Sequence, residues 1–220
     1  MPKQILIVTA VEAEAAVINK HEEVHVIASG IGRTNAGIAT TTAILNNGPF
    51  NWILNLGLAG SLPESNLQIG DVVISNSCIY MEEGLMTPAG FQDIQSMGFS
   101  LGKFDGNRVP INPLILEPLK EHGIVGSIAT VATCSGTDEQ SNSVHERTGA
   151  ICEAMEGAAV VHAAMHMNIP AIEIRVISNT PGNRQSQIWD LKRAFAGLEK
   201  IASKAINALL HHPEQSSEVS

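Results

Sequence analysis

The chain has 220 residues, of which 44% are hydrophobic, and it carries a formal net charge of −9 at pH 7. This length fits one large domain, because domains commonly run to roughly 100–200 residues and α/β domains exceed that. With only 13 lysines and arginines and no basic cluster, the composition argues against nucleic acid as a partner, since phosphate backbones are bound by concentrated positive charge.

The N-terminal sequence and the cysteines bear on location and cofactors. The apolar run from Ile5 to Val8 is too short for the core of a signal peptide, and no run reaches the ~20 apolar residues that cross a bilayer. We therefore expect a cytoplasmic protein that does not bind membranes. The three cysteines (Cys78, Cys134 and Cys152) are widely spaced, which predicts neither a disulfide framework nor a zinc site, and we expect no metal or organic cofactor.

Patterns typical of strands and helices alternate along the chain. The predicted strands are 4–9, 25–29, 50–56, 69–75 after an initial turn, 124–133 and 171–177, with 79–81 extending the sheet. The predicted helices are 12–18, one that ends near 45, 112–122, 138–148, 157–168 and 185–211. Residues 82–110 show no firm period, which is typical of a long excursion or lid.

This alternation predicts the fold class. A chain of this kind builds an α/β fold, here a single-domain three-layer sandwich with a mixed, mostly parallel central sheet flanked by helices. The predicted domain spans residues 1–212. The polar composition of residues 213–220 predicts a disordered tail.

Carboxylates stand at two of the predicted strand-to-helix junctions. Glu156 precedes a run of small residues that begins a helix, where unpaired N–H groups would keep it ionised and a strong acceptor for hydroxyl groups. Glu12 follows the first strand in the same way, whereas Glu14 is interpreted as a surface charge. Glutamates in a first helical turn are also ordinary surface charges, and this alternative stays open for Glu12 and Glu156.

The predicted strand 171–177 delivers Ser178 and Asn179 into a loop that contains proline and glycine. Open parallel sheets bind ligands at the carboxyl ends of their strands. We therefore expect Asn179 and Glu156 to share a site, one strand apart. Taken alone, Asn179 is also typical of a turn.

Two glycine-rich loops follow predicted strands at the same edge, at residues 30–37 and 57–60. The first resembles the start of a dinucleotide-binding fingerprint, but Asn35 occupies the position of the third glycine. No acidic residue ends a following strand at the distance that ribose binding requires. The loops therefore favour a small ligand near the backbone over nicotinamide or flavin.

Taken in order, these motifs resemble the nucleoside phosphorylase and nucleosidase superfamily, especially its nucleosidase branch. The resemblance covers nearly the whole chain and is carried by Ala10–Glu12, Ser29–Gly32, Asn55–Gly60, Ile69–Ser75, Ala154–Gly157 and Arg175–Asn179. The branch includes methylthioadenosine/S-adenosylhomocysteine nucleosidase and futalosine hydrolase. It implies a small-molecule purine nucleoside as substrate, hydrolysis of its N-glycosidic bond, and a homo-oligomer, either a dimer or a tetramer.

The resemblance also implies roles for individual residues. Glu12 would activate the attacking water, and Asn179 would face N7 of the leaving base. Glu156 would accept hydrogen bonds from the 2′ and 3′ hydroxyls of the ribose. The other implied contacts are with the sugar, through Met155, and with the purine, through Ser135, Gly136, Thr137 and Ser178.

Asn179 departs from the methylthioadenosine-type enzymes, which carry an aspartate there that protonates N7. An amide is no such acid, but its oxygen accepts from N7–H while its NH₂ donates to an oxygen at C6. Facing a 6-amino group, the same NH₂ would stay unpaired at a cost of ~1–3 kcal/mol. The departure favours a hypoxanthine nucleoside, and within the nucleosidase branch it indicates the futalosine hydrolases.

The 5′ substituent of futalosine ends in a benzoate, so the resemblance implies a donor for its carboxylate. Arg184 is the predicted donor, because it follows Asn179 in the same loop. A solvated loop arginine is the alternative.

Three other functions stay open, and the first is that of a methylthioadenosine/S-adenosylhomocysteine nucleosidase, from the same branch. A nucleoside phosphorylase would share the fold, but that family holds phosphate with an arginine before the second glycine loop, where Asn55 stands here. A non-catalytic nucleotide-binding sensor would explain the glycine loops but not the two strand-end carboxylates.

Overall fold

A mixed sheet of eight strands forms the centre of the computed structural model, which describes residues 4–212. Its strands are β1 (Ile5–Thr9), β2 (Val24–Ala28), β3 (Trp52–Ser61), β4 (Val72–Tyr80), β7 (Arg108–Pro110), β8 (Ile124–Thr130), β9 (Cys152–Ala154) and β10 (Ala171–Asn179). A separate hairpin consists of β5 (Gly84–Thr87) and β6 (Gly90–Asp93). The helices are α1 (Glu12–Ala15), α2 (Arg33–Asn47), α3 (Pro113–Leu116), α4 (Asp138–Thr148), α5 (Gly157–His166) and α6 (Leu191–Leu210).

The strand order is β10-β4-β8-β9-β3-β1-β2, with β7 beside β4. Strands β1, β2, β3 and β10 run parallel to their neighbours within this group, and β4, β8 and β9 form a second parallel group. Antiparallel pairs join β10 to β4 and β3 to β9. Because β10 also pairs with β3, the five strands β3, β10, β4, β8 and β9 close into a ring.

Apolar strands and helix faces build the core on both sides of the sheet. The longest helix, α6, places an apolar stripe on the sheet at helical spacing, and its buried residues are Ala194, Leu198, Ile201, Ala202, Ala205, Ile206 and Leu209. The helix begins where the side chain of Asp190 accepts a hydrogen bond from the backbone N–H of Arg193 at 2.9 Å. The predicted single α/β domain with a sheet between helices is confirmed, and the closed ring is a feature that strand patterns did not indicate.

The segment predicted as a glycine loop at 57–60 is instead the second half of β3. A side chain at Gly57 would place its Cβ 2.3 Å from Nη1 of Arg175 and 2.7 Å from Oε1 of Glu14. The glycine is therefore required inside the strand, because two neighbouring side chains fill the space.

Other element boundaries also differ from prediction. The helix predicted at 112–122 is split into α3 and a short 3₁₀ turn, Lys120–His122, because Pro118 has no N–H to continue the helical ladder. The last helix begins at Leu191 rather than 185, and the first ends at Ala15. The excursion at 82–110 contains the β5–β6 hairpin and β7.

No helix within residues 4–212 is both long enough and apolar enough to cross a membrane. The predicted tail at 213–220 lies outside the described residues, and the domain boundary at 212 stays a prediction.

Candidate functional site

A cavity of about 270 Å³ lies at the carboxyl ends of β1, β3 and β10. Its polar and ionisable lining residues are Glu14, Cys134, Ser135, Glu153, Glu156, Arg175, Ser178, Asn179, Arg184 and Gln187. Apolar contacts come from Val11, Ile31, Leu58, Met155, Trp189 and Leu191, among others. The predicted location at the strand ends therefore coincides with a cavity whose walls are rich in hydrogen-bonding groups.

The carboxylate beside the end of β1 belongs to Glu14, not to Glu12. Glu14 is 6% exposed, and its oxygens accept hydrogen bonds from the backbone N–H groups of Ala10 at 2.9 Å and Leu58 at 2.9 Å. Glu12 is exposed and does not line the cavity. The interpretation of Glu14 as a surface charge was wrong, and the structure does not bring Glu12 into the site.

The geometry of the first helical turn explains this exchange. Glu14 is the third residue of α1, the position from which a glutamate side chain reaches back to the N–H of the residue before the helix. That residue is Val11, whose N–H donates to Oε2 of Glu14 at 3.3 Å. A glutamate three positions after the residue that precedes a helix was thus a usable sequence signal, although the sequence analysis did not use it.

Glu156 lies at the predicted junction between β9 and α5, as the residue that precedes the helix. It is 3% exposed, and its Oε1 accepts a hydrogen bond from the N–H of Gly32 at 2.9 Å. Gly32 has a φ of 92°, a conformation that favours glycine. Oε2 of Glu156 accepts from its neighbour Met155 N at 3.2 Å and from Nη2 of Arg175 at 3.2 Å.

Arg175 is one of the site residues that the sequence analysis missed. It is 1% exposed, and Nη2 also donates to Oδ1 of Asn55 at 2.6 Å while Nε donates to Oε1 of Glu173 at 2.7 Å. Burial works against its charge, but the attraction of Glu173, Glu156 and Glu14 prevails and raises its pKa. Burial raises the pKa of Glu173, and the positive charge of Arg175 opposes that shift.

Asn55 has a structural role and does not line the cavity. It is fully buried and donates to the carbonyl of Val8 at 2.9 Å. Its oxygen orients Arg175, so the residue supports the site from below.

Ser178 and Asn179 form the end of the cavity at β10. Oδ1 of Asn179 accepts a hydrogen bond from Oγ of Ser178 at 2.9 Å, and its Nδ2 donates to the carbonyl of Thr180 at 3.1 Å. The backbone carbonyl of Asn179 accepts from Oγ of Ser61 at 3.1 Å. These contacts fix the side-chain amide of Asn179. They use one of its two N–H hydrogens and one of the two lone pairs on its oxygen, and the other hydrogen and lone pair remain for a ligand.

Glu153, on β9, is a second residue that the sequence analysis missed. It is 7% exposed, and its two oxygens accept from N and Oγ of Ser135, each at 2.7 Å. Burial raises the pKa of Glu153, and the two hydrogen bonds from Ser135 oppose that shift. β9 has only three residues, so no strand pattern was available to identify it.

The predicted purine segment 135–137 is brought to the site only at Ser135. The carbonyl of Gly136 accepts from the backbone N of Arg184 at 2.9 Å, and Gly136 does not line the cavity. Thr137 is exposed and begins α4, where its Oγ1 accepts from the N–H of Gln140 at 3.1 Å.

Arg184 lines the cavity on the same side as Ser135 and Asn179. Its guanidinium lies over the ring of Trp189, 4.4 Å from the centroid, and Trp189 forms an isolated bridge with Asn179. The arginine therefore belongs to the wall around the predicted base position, which gives no support to a contact with the 5′ substituent.

Within residues 4–212, no group of three or more histidine, cysteine, aspartate and glutamate side chains could hold a metal ion. The functional groups that line the cavity are carboxylates, two amides, two guanidinium groups, two hydroxyl groups and a thiol.

Comparison with known proteins agrees with this architecture. Residues 8–211 match the sequence model of the phosphorylase superfamily. A futalosine hydrolase of Acidothermus cellulolyticus is 32% identical over 158 residues, which cover 68% of this chain and 62% of that protein, slightly less than two thirds. A futalosine hydrolase of Thermus thermophilus is 30% identical over 81% of this chain and 79% of its own length.

Solved structures share the fold. A futalosine hydrolase mutant of Helicobacter pylori superposes with a TM-score of 0.70 and 21% identity, covering 94% of this chain and 97% of that one. A 5′-methylthioadenosine/S-adenosylhomocysteine nucleosidase from Neisseria meningitidis, in complex with methylthio-immucillin-A, gives a TM-score of 0.75 at 20% identity, covering 94% and 99%.

Proposed function

This chain belongs to the phosphorylase superfamily, and we propose that its strand-end cavity hydrolyses the N-glycosidic bond of a 6-oxopurine nucleoside, namely futalosine, to release hypoxanthine. Relatives with 30% and 32% identity are named futalosine hydrolase. The observation that carries the choice of substrate is the amide of Asn179, which lines the same cavity as the carboxylates of Glu14 and Glu156.

Glu14 acts as the general base. Its carboxylate borders the cavity and is held in place by backbone N–H groups from α1 and β3. A fixed carboxylate next to the anomeric carbon can orient a water molecule and take its proton as the bond to the base breaks. Glu12 has no such position, because it is exposed.

Glu156 holds the sugar. A carboxylate has about four lone-pair positions, and three are used by Gly32, Met155 and Arg175. One position on Oε1 is left for a ribose hydroxyl, and the resulting charge-assisted bond strengthens as positive charge grows on the sugar.

Asn179 selects the base. Its free lone pair suits the N7–H of a departing hypoxanthine, and its free amide hydrogen suits O6. Adenine presents an amino group at C6 instead, so that two donors would face each other at a cost of ~1–3 kcal/mol. The amide therefore favours futalosine over methylthioadenosine.

Hydrolysis is favoured over phosphorolysis by the charges that line the cavity. Arg175 is engaged by Glu173, Asn55 and Glu156, and Arg184 lies over Trp189 at the base side. Arg175 lies beside Glu14 but is occupied by these partners, and the negative charge of Glu14 would repel phosphate.

From the family resemblance we also infer the location, the oligomeric state and the metabolic role of the protein. The protein acts in the cytoplasm as a homo-oligomer, and hypoxanthine release serves menaquinone biosynthesis. That Arg184 grips the benzoate of the substrate stays a prediction, although its position beside Ser135 and Asn179 favours a role in the wall around the base.

A base-release assay on futalosine, inosine, adenosine and methylthioadenosine, with and without phosphate, tests the proposal. We expect hypoxanthine from futalosine at a rate that does not depend on phosphate. Release of adenine from methylthioadenosine as the preferred reaction would replace futalosine by the related nucleosidase activity, and a requirement for phosphate would indicate a phosphorylase. Saturable binding of a nicotinamide cofactor without base release would indicate a sensor.

A further inference from the structure

Glu153 is a buried carboxylate that the chemistry described above does not use. It lines the cavity, and both of its oxygens accept hydrogen bonds from Ser135. On the same strand, Cys152 packs in an apolar cluster, and Ala154 lines the cavity beside Glu153. β9 therefore places a charged group in the cavity wall although burial of a charge is costly.

The strand register places Glu153 across the cavity floor from Asn179. Gly60 of β3 is paired with Glu153 on one side and with Asn179 on the other. Neighbouring strands lie roughly 4.8 Å apart, so the two flanking residues are separated by about 10 Å between their backbones. A Cβ at Gly60 would lie only 3.0 Å from Nδ2 of Asn179, so the glycine keeps a side chain away from this amide. Gly60, Asn179 and Glu153 all line the cavity, and we call the part of it between Asn179 and Glu153 the slot.

A planar 6-oxopurine has the matching set of groups along one edge: N7, the oxygen at C6, and N1–H. The last is a donor in a 6-oxopurine, whereas N1 of a 6-aminopurine is an acceptor. Ionised Glu153 offers only lone pairs, and two of its roughly four positions remain after the bonds from Ser135. The N–H of Ser135, which could have donated to N1 of an adenine, is already directed to Glu153.

We propose that Glu153 is the residue that recognises N1–H of the 6-oxopurine, while Asn179 holds N7 and O6 at the other end of the slot. This inference rests on the proposed function and extends it, because it assigns a second determinant of base choice. Glu153 and Asn179, on the two strands that flank Gly60, then bind adjacent positions along one edge of the purine.

Equilibrium binding of free bases tests the role apart from catalysis. Calorimetric titrations with hypoxanthine and with 1-methylhypoxanthine, which lacks N1–H, are compared for the unaltered protein, Glu153→Gln and Glu139→Gln. Glu139 is an exposed residue in the first turn of α4, so its variant makes the same charge change outside the cavity.

We expect the unaltered protein and Glu139→Gln to bind hypoxanthine about 10- to 100-fold more tightly than 1-methylhypoxanthine, the range for one unpaired buried hydrogen-bonding group. Glu153→Gln should weaken the binding of hypoxanthine by about tenfold, because a neutral acceptor replaces a charged one. It should leave the affinity for 1-methylhypoxanthine unchanged. The amide can still take the N–H of Ser135, so the loop keeps its anchor.

If Glu153→Gln weakened the binding of both bases equally, the residue would only anchor Ser135, and the inference would be wrong. It would also be wrong if the unaltered protein failed to distinguish the two bases, a result that needs no variant to fold. In both cases, release of hypoxanthine from futalosine would leave the proposed function standing. Release of adenine in its place would overturn both.

Discussion

Nη2 of Arg175 lies 3.2 Å from Oε2 of Glu156, and both residues are almost completely buried. The same guanidinium bonds Glu173 at 2.7 Å, so a single cation balances two buried carboxylates. The orientation of the group proposed to hold the sugar therefore depends on a residue within β10.

Replacement of Arg175 tests this dependence. Arg175→Met removes the cation and leaves Glu156 and Glu173 buried without a counter-charge, which should lower the free energy of unfolding by about 3–5 kcal/mol. Urea denaturation followed by circular dichroism measures the loss. The control, Lys192→Met, alters an exposed residue and should stay within about 0.5 kcal/mol of the unaltered protein. A similar stability for the two variants would contradict the buried network.

Glu14→Gln and Glu12→Gln form a matched pair two residues apart. We expect Glu14→Gln to lower kcat for futalosine by roughly 10²- to 10⁴-fold, because an amide cannot accept the proton of water. It should also destabilise the fold by ~1–3 kcal/mol, since the amide NH₂ must face backbone N–H groups. Glu12→Gln should leave both quantities nearly unchanged because Glu12 is exposed.

Steady-state kinetics and thermal unfolding of the two variants provide the comparison. A large loss of kcat in Glu12→Gln with normal turnover in Glu14→Gln would restore the assignment that the sequence first suggested.

Asn179→Asp should move base preference toward adenine. A protonated carboxyl group can donate to N7, whereas an ionised one repels O6 of hypoxanthine. We expect the ratio of kcat/KM for futalosine to that for methylthioadenosine to fall by about 10- to 100-fold. The Ser178 hydroxyl can still donate to an oxygen at position 179, so the local fold should persist. An unchanged ratio would remove Asn179 from base selection.

Hypoxanthine binding should weaken in acid through Glu153. Burial raises the pKa of this carboxyl group above its ordinary value, against the hydrogen bonds from Ser135, and the nearby negative charge of Glu82 adds to the rise. Arg184, Cys134 and Glu156 are ionisable residues that line the same cavity as Glu153. The ionised form accepts N1–H, so affinity should be full above the raised pKa and should fall below it toward a level about tenfold lower, which is the loss expected for a neutral group at this position.

The measurement is a titration of hypoxanthine affinity against pH in the unaltered protein and in Glu153→Gln. The variant has no carboxyl group at position 153, so its profile should be flatter over the same window. Two profiles of the same shape would assign the acid limb to another group.

Local patterns were sufficient to predict much of the site, and their failures have physical reasons. Glu156 was predicted because it follows an apolar run at a strand-to-helix junction that the structure confirms. Asn179 was predicted just beyond the strand 171–177, and the structure extends that strand through Ser178 and Asn179. Glu14 was missed because the choice between two glutamates in one turn depends on where the helix begins, a boundary that sequence patterns give only to within ±2–4 residues.

Arg175 and Glu153 were missed for a different reason. Arg175 sits in a run of apolar strand residues, and its partners Asn55 and Glu156 lie 120 and 19 positions away along the chain. Only the pairing of β10 with β3 brings the guanidinium to the cavity. Such long-range charge pairs leave no period in a single sequence, and a three-residue strand such as β9 leaves none either.

The pairing of β10 on both of its edges has a consequence for local motion. Ile174, Arg175 and Val176 each have a partner on β3 and another on β4. Their amide hydrogens cannot reach solvent by fraying of one strand edge, so we expect them to exchange with deuterium only through the largest opening events of the domain. By contrast, the stretch from Asn183 to Ser186 is exposed, and its amides donate to loop and side-chain oxygens instead of to a strand ladder, so they should exchange much earlier. The wall around the proposed base position could then open and close while the arginine beside the proposed sugar position stays fixed.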